Sequence, residues 1–378
     1  MGLAGALAFG YNRNRVAWWG FAMRYRAIVI GLAACAPLAA PGLAEKPPAD
    51  LTVVPPVPTT YVPKRTPWGD PDLSATWTSD NFSYVGVYFE RPKEQGNRLW
   101  LTDADFAKRL AEAKKSDADK TDFGAHLMPD NTVGLAAWIQ ATPFARRTSL
   151  LVSPANGRLP PLTPRGEALF KGGRTSWNKD QPIDWVSDLD ALDRCISRGF
   201  PAAMMPTDRD SDNGIRLFQA PGYVAFQIEM LGTRVVPIGK AAPWPGAVRG
   251  WLGQSRGHWE GNTLVIETSN IVAGDSASGD ASKRAASPTS TESTIPTGEN
   301  AHAVERLTMT GPGKLVYQVT YTDPDVFTAP WTAQVEWTRD DKYQMYEFAC
   351  HEGNVQVRTM ITNSRAQRAK DAAKVAAK

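Results

Sequence analysis

The chain carries few groups able to do acid–base or nucleophilic chemistry, and the best of them lie in its second half. Glu305 belongs to the run Asn300 to Leu307, NAHAVERL; on a strand it shares a face with Ala303, Leu307 and Met309, which places its carboxylate among apolar neighbours. Burying such a charge alone is costly, so a cation must meet it, and Arg234 or Arg256 could do so. A desolvated carboxyl holds its proton to higher pH and can act as general acid or base, whereas a Glu–Arg pair across strands would be structural. Glu229 closes the strand-like YVAFQIEM and shares a face with Tyr223 and Gln227. His351, followed by Glu352, stands at an expected strand end and is the third acid–base candidate. Were these groups to face one cavity, hydration, isomerisation, elimination or glycoside cleavage would be within reach.

Other chemistries find no support in the spacing. The histidines are His126, His258, His302 and His351, with no HxH, HExxH or CxxC pattern, so neither a metal nor an organic cofactor is expected. Gly253-Gln254-Ser255-Arg256-Gly257 matches the letters of a nucleophile elbow, but a strand follows where the elbow needs a helix. Phosphate-binding glycine loops are missing. Arg234, Arg256, Trp259, Tyr317 and Trp331 are the candidate ligand contacts, a set suited to a small apolar or aromatic molecule.

Positioning these residues begins with where the chain folds. From Met23, MRYRAIVIGLAACAPLAAPGLA has a basic head, an apolar stretch and a small-residue end, the pattern of a secretory signal cleaved after Ala44. Met23 is then the expected start, with residues 1–22 an upstream extension; a lipobox ending at Cys35 is the alternative, giving an anchored lipoprotein. Formal net charge is +3, but four arginines and no acid precede Glu45, so the remainder balances at −1 and no nucleic-acid surface is expected. No apolar stretch beyond this region is long enough to span a membrane. A periplasmic or secreted location is oxidising, and there Cys195 and Cys350 are expected to pair.

After a proline-rich linker over residues 45–66, a single β-rich domain is expected over 67–363, with a mixed, partly helical insertion at 101–190. A mobile loop poor in apolar residues is expected at 273–299, and a basic, Ala-rich helical tail at 364–378. Strand signals recur from Asn213. Glu260-Gly261-Asn262-Thr263 joins two strand-like runs as a hairpin, and Pro221-Gly222 turns another pair. Leu315/Tyr317/Val319/Tyr321 and Trp331/Ala333/Val335/Trp337 alternate cleanly, so each strand has one buried face. A further strand is expected over Tyr343 to Cys350. Successive antiparallel strands must protect two edges; closure of the meander into a calycin-like barrel does so, and a two-layer sandwich is the alternative.

The blocks TPWGDPDLSATW, RCISRGFP, APGYVAFQIEMLGTRVVPI, SRGHWEGNTLVIET, ENAHAVERL and FACHEGN, in that order, resemble a widespread group of exported bacterial proteins of unknown function. The resemblance implies export and leaves the activity open. Separately, the small residue two before Trp77 on the first expected strand resembles the opening of lipocalin-type barrels. Three functions follow: an exported barrel that binds a small molecule, a cofactor-independent enzyme using the buried carboxylates and His351, or an envelope module that docks a protein partner.

Overall fold

A computed structural model describes residues 46–79, 89–112, 145–172, 181–189, 193–197, 199–205, 214–229, 232–240, 242–272 and 297–377. The expected signal segment with Met23, Cys35 and Ala44, His126, the apolar stretch around Trp138, and the 273–299 loop as far as residue 296 lie outside the described residues.

The protein is mostly β. Its strands are β1 (Ala75–Thr78), β2 (Leu151–Ser153), β3 (Gly214–Ala220), β4 (Tyr223–Ile228), β5 (Gly232–Pro237), β6 (Gln254–Glu260), β7 (Thr263–Ser269), β8 (His302–Gly311), β9 (Lys314–Thr322) and β10 (Trp331–Arg339). Nine of them form one antiparallel sheet in the order β5-β4-β3-β1-β10-β9-β8-β7-β6, and β2 pairs with β10 beside β1. The sheet curls until β5 approaches β6, giving the nearly closed barrel expected of the meander rather than a two-layer sandwich.

The turns follow from residue type. Glu260 pairs with Thr263 across Gly261-Asn262, and Gly261 takes φ +60°, the left-handed first position that this two-residue loop needs. The helix over residues 103–112 begins as its sequence dictates, with the Asp105 amide donating to Thr102 Oγ1 at 3.1 Å. A second helix, Pro164–Gly172, has Thr163 Oγ1 accepting from the Gly166 amide at 2.9 Å. The last helix, Gln356–Ala376, starts well before residue 364 and buries none of its residues.

The proline-rich segment is docked rather than free: Trp100 donates its indole N–H to the Val53 carbonyl at 2.9 Å, and Leu51 packs against Leu99, Trp100 and Val152. The strand expected over Tyr343 to Cys350 does not form. Another strand of the meander would need the edge of β10 opposite β9, and β1 and β2 already occupy it. Those residues instead run as irregular chain, with Tyr346 exposed and Cys350 bonded to Cys195.

Strand number creates one special place. Eight consecutive antiparallel pairings among nine strands leave the terminal pair, β5 and β6, running in the same direction. Consecutive strands that run parallel cannot form a hairpin ladder, so residues 238–253 cross over, and the contact is a parallel bridge between Ile238 and Gly257. Gly239 donates its amide to the Gly257 carbonyl at 2.8 Å. A Cβ on Gly257 would stand 2.7 Å from Ile238 Cδ1 and 3.1 Å from Val236 Cγ1, so glycine lets the two edges approach.

Candidate functional site

The inner face of the barrel is apolar at nearly every strand position, and its polar exceptions meet at the seam. Arg234 on β5 is 3% exposed and Glu305 on β8 is 0% exposed. Arg234 Nη1 donates to Glu305 Oε1 at 2.8 Å and Nη2 donates to Oε2, a bidentate pair. The same guanidinium donates through Nε to Ser255 Oγ on β6 at 2.9 Å, and through Nη2 to Thr268 Oγ1 on β7 at 2.6 Å. Thr268 Oγ1 donates to Glu305 Oε2 at 3.3 Å, and the Tyr317 hydroxyl of β9 donates to Oε1 at 2.8 Å.

One arginine thus links β5 to β6, β7 and β8, across the place where ladder hydrogen bonds are sparse. Strand parity puts these residues together: Ser255 opposes Thr268, Ile266 opposes Glu305, and Leu307 opposes Tyr317, so the polar groups are direct or diagonal neighbours on one face. Phe200 and Phe226 cover the guanidinium, with Cζ 4.9 and 5.7 Å from their ring centroids. Phe200 belongs to residues 199–205, whose Ala202, Ala203, Met204 and Met205 are also buried. Burial pushes the Tyr317 hydroxyl pKa well above its usual value, and the nearby Glu305 charge pushes it further. For Arg234, burial acts to lower the pKa, but the Glu305 carboxylate outweighs it and the net shift is upward.

The remaining sequence candidates lie elsewhere. Glu229 accepts from the Tyr343 hydroxyl at 2.5 Å and the Gly214 amide at 3.1 Å, sharing no partner with Glu305. His351 is exposed on the turn after the disulfide-bonded Cys350. Arg256, one residue out of phase with Ser255, projects from the outer face toward Glu267, 3.9 Å away and also exposed, and does not meet Glu305. Trp259 is half-buried on the inner face and packs against the core.

A second inner cluster is aromatic. Trp331 stacks on Tyr321, centroids 5.0 Å apart, while the Phe89 ring meets it edge-on at 5.3 Å; Trp337 stacks on Tyr317 at 4.9 Å. The indole N–H groups of Trp259, Trp331 and Trp337 are buried and have no hydrogen-bond partner among the described residues. Sequence reasoning marked Trp331 and Tyr317 as contacts, weighed Ser255 only as a nucleophile, placed Trp337 only on a buried face, and did not single out Thr268. Their signal was available as strand parity once the β6–β7 hairpin and the Trp331/Trp337 alternation were set in register.

The disulfide between Cys195 and Cys350 joins the chain just before residues 199–205 to the segment that follows β10. Asn354 Nδ2 donates to the Asp193 carbonyl at 3.1 Å, fastening the same junction. Among the described residues, no helix is long and apolar enough to cross a membrane. Fold and site together define a disulfide-bonded, nearly closed antiparallel barrel with a buried polar network at its seam. No family model, curated protein or solved structure matches the chain.

Proposed function

We propose that the protein is an exported barrel that binds a small molecule with an aromatic or apolar body and at least one hydrogen-bond acceptor. The observation that carries this reading is the pair of buried indole N–H donors of Trp331 and Trp337, which have no hydrogen-bond partner among the described residues, within a stacked aromatic inner face. Leaving such a donor unmet costs about 1–3 kcal/mol, and a ligand carbonyl, ether or phenol oxygen would recover much of it. The Cys195–Cys350 bond supports export, because oxidising compartments maintain such bonds. The resemblance to exported bacterial proteins points the same way.

Catalysis by the three acid–base candidates has weaker support. The two Glu305 oxygens accept four hydrogen bonds, leaving the carboxylate engaged as an orienting group rather than free to take a proton from a substrate. Glu229 and His351 share none of its partners.

The test is native mass spectrometry of protein isolated from periplasm, followed by denaturing extraction. A stoichiometric bound molecule is expected, with affinity about tenfold weaker in Trp337→Phe or Trp331→Phe, which remove the donor and keep an aromatic ring. A bare polypeptide mass, combined with no tryptophan fluorescence response to a panel of aromatic acceptors, would overturn the reading.

A further inference from the structure

Outside the barrel wall, two arginines are buried and form no ion pair with a carboxylate among the described residues. Residues alternate along β10, so Trp331, Ala333, Val335 and Trp337 face inward while Gln334 and Glu336 face outward, under the segments that cover this side. Arg147 lies against that outer face, 7% exposed, donating through Nη1 to Gln334 Oε1 at 3.2 Å and through Nη2 to the Leu150 carbonyl at 3.3 Å. Arg91 is 2% exposed and donates through Nη1 to the Ala155 carbonyl at 2.7 Å. All of these acceptors are neutral. The Nε of each guanidinium is buried and has no hydrogen-bond partner among the described residues.

The nearby carboxylates are taken. Glu336 pairs with Lys314 at 3.1 Å. Glu90 accepts the Leu159 amide at 2.7 Å and stands 3.9 Å from Arg158 Nη2. Burial lowers the Arg147 pKa to about 10; Arg91 adds to the effect, and Glu336, which makes no ion pair with Arg147, opposes it. The Leu151 amide donates to the Phe89 carbonyl at 3.0 Å, which brings the segment of Arg91 alongside the one that carries Arg147. The backbone is also shaped around this charge: a Cβ on Gly157 would stand 2.7 Å from Arg91 Cζ, so glycine lets the chain lie flat against the guanidinium.

Buried like charges with unused donors are the usual makings of an anion site, since guanidinium forks match the oxygen geometry of oxyanions. We propose that Arg91 and Arg147 bind a small oxyanion, a phosphate, sulfate or carboxylate group, between the outer face of β10 and its covering segments. The site is separate from the aromatic interior, so the anion is either a free ion or the charged end of a second ligand.

Inorganic phosphate is the probe, used on the full chain at constant ionic strength. Saturable 31P line broadening and a saturable rise in melting temperature are expected, reproduced by sulfate and not by chloride. Acetate in place of phosphate distinguishes a carboxylate site from one requiring a tetrahedral anion. In Arg91→Met and Arg147→Met the phosphate affinity falls by about tenfold or more, as expected on losing a charge-assisted donor. Absence of saturable broadening in the wild-type chain overturns the proposal without recourse to variants. So does an undiminished phosphate response in either methionine variant. If a methionine variant fails to fold, Arg147→Lys, which keeps the charge and loses the fork, must still weaken phosphate binding.

Discussion

Replacing Glu305 by Gln tests the seam network most directly. The side chain is 0% exposed and accepts two hydrogen bonds from Arg234, one from Tyr317 at 2.8 Å and one from Thr268 at 3.3 Å. Glutamine keeps the volume but removes the charge, and it turns one acceptor into a donor facing other donors. Arg234, 3% exposed, is left with the Ser255 and Thr268 hydroxyls as neutral acceptors. Removing one member of a buried ion pair costs roughly 3–5 kcal/mol, against a total stability of about 5–15 kcal/mol for a folded domain. The pair itself is worth far less than that figure, because both ions are desolvated; Arg234→Met combined with Glu305→Leu is therefore expected to lose less than Glu305→Gln alone. Urea unfolding followed by circular dichroism, with the disulfide intact, measures the cycle. Hydrogen exchange adds location: β5, whose regular ladder is with β4 alone, should lose protection in Glu305→Gln before β8 and β9 do. A loss below about 1 kcal/mol in Glu305→Gln, or a double variant as damaged as the sum of both single changes, would refute the view that this network holds the seam.

Three further outcomes follow from the same geometry. Gly257→Ala forces a methyl to 2.7 Å from Ile238 Cδ1, so urea unfolding should record a loss of about 1–3 kcal/mol, while Gly261→Ala, with nothing within 4 Å of its Cβ, should suffer chiefly from its φ of +60°. The Cys195–Cys350 bond spans 155 residues, and restricting that loop stabilises by up to about 5 kcal/mol on the chain-entropy account; Cys195→Ser with Cys350→Ser should lose a large part of this, and the oxidised chain should be two hydrogens lighter by mass spectrometry. Tyr317 has its folded pKa raised above the unfolded value of about 10, so its contribution is fully present below that pH and is lost as pH rises through the folded pKa. Stability measured above pH 10 should therefore fall with pH, and Tyr317→Phe should flatten part of that slope; an unchanged slope would remove Tyr317 from this role.

Much of the architecture could be read from the sequence because it depends on neighbours in the chain. The alternations at Leu315 to Tyr321 and Trp331 to Trp337 placed buried faces correctly, since side chains on a strand alternate sides whatever the strand pairs with. Gly261-Asn262 and Pro221-Gly222 announced their turns through backbone preference, and Thr102 announced a helix start through its side-chain acceptor. Strand alternation likewise pointed to a buried Glu305 that needs a cation. The choice between Arg234 and Arg256 was not local. It depended on β5 and β6 meeting at a parallel seam, which follows from the number of strands in the nearly closed sheet and from β1 taking the edge of β10. The same occupied edge turned the expected strand at Tyr343 to Cys350 into irregular chain, and it left Glu229 to bond Tyr343 instead of joining Glu305. Periodicity fixes which face a residue shows. Which residues from distant strands share that face is set by closure, a property of the whole sheet that no short window of sequence contains.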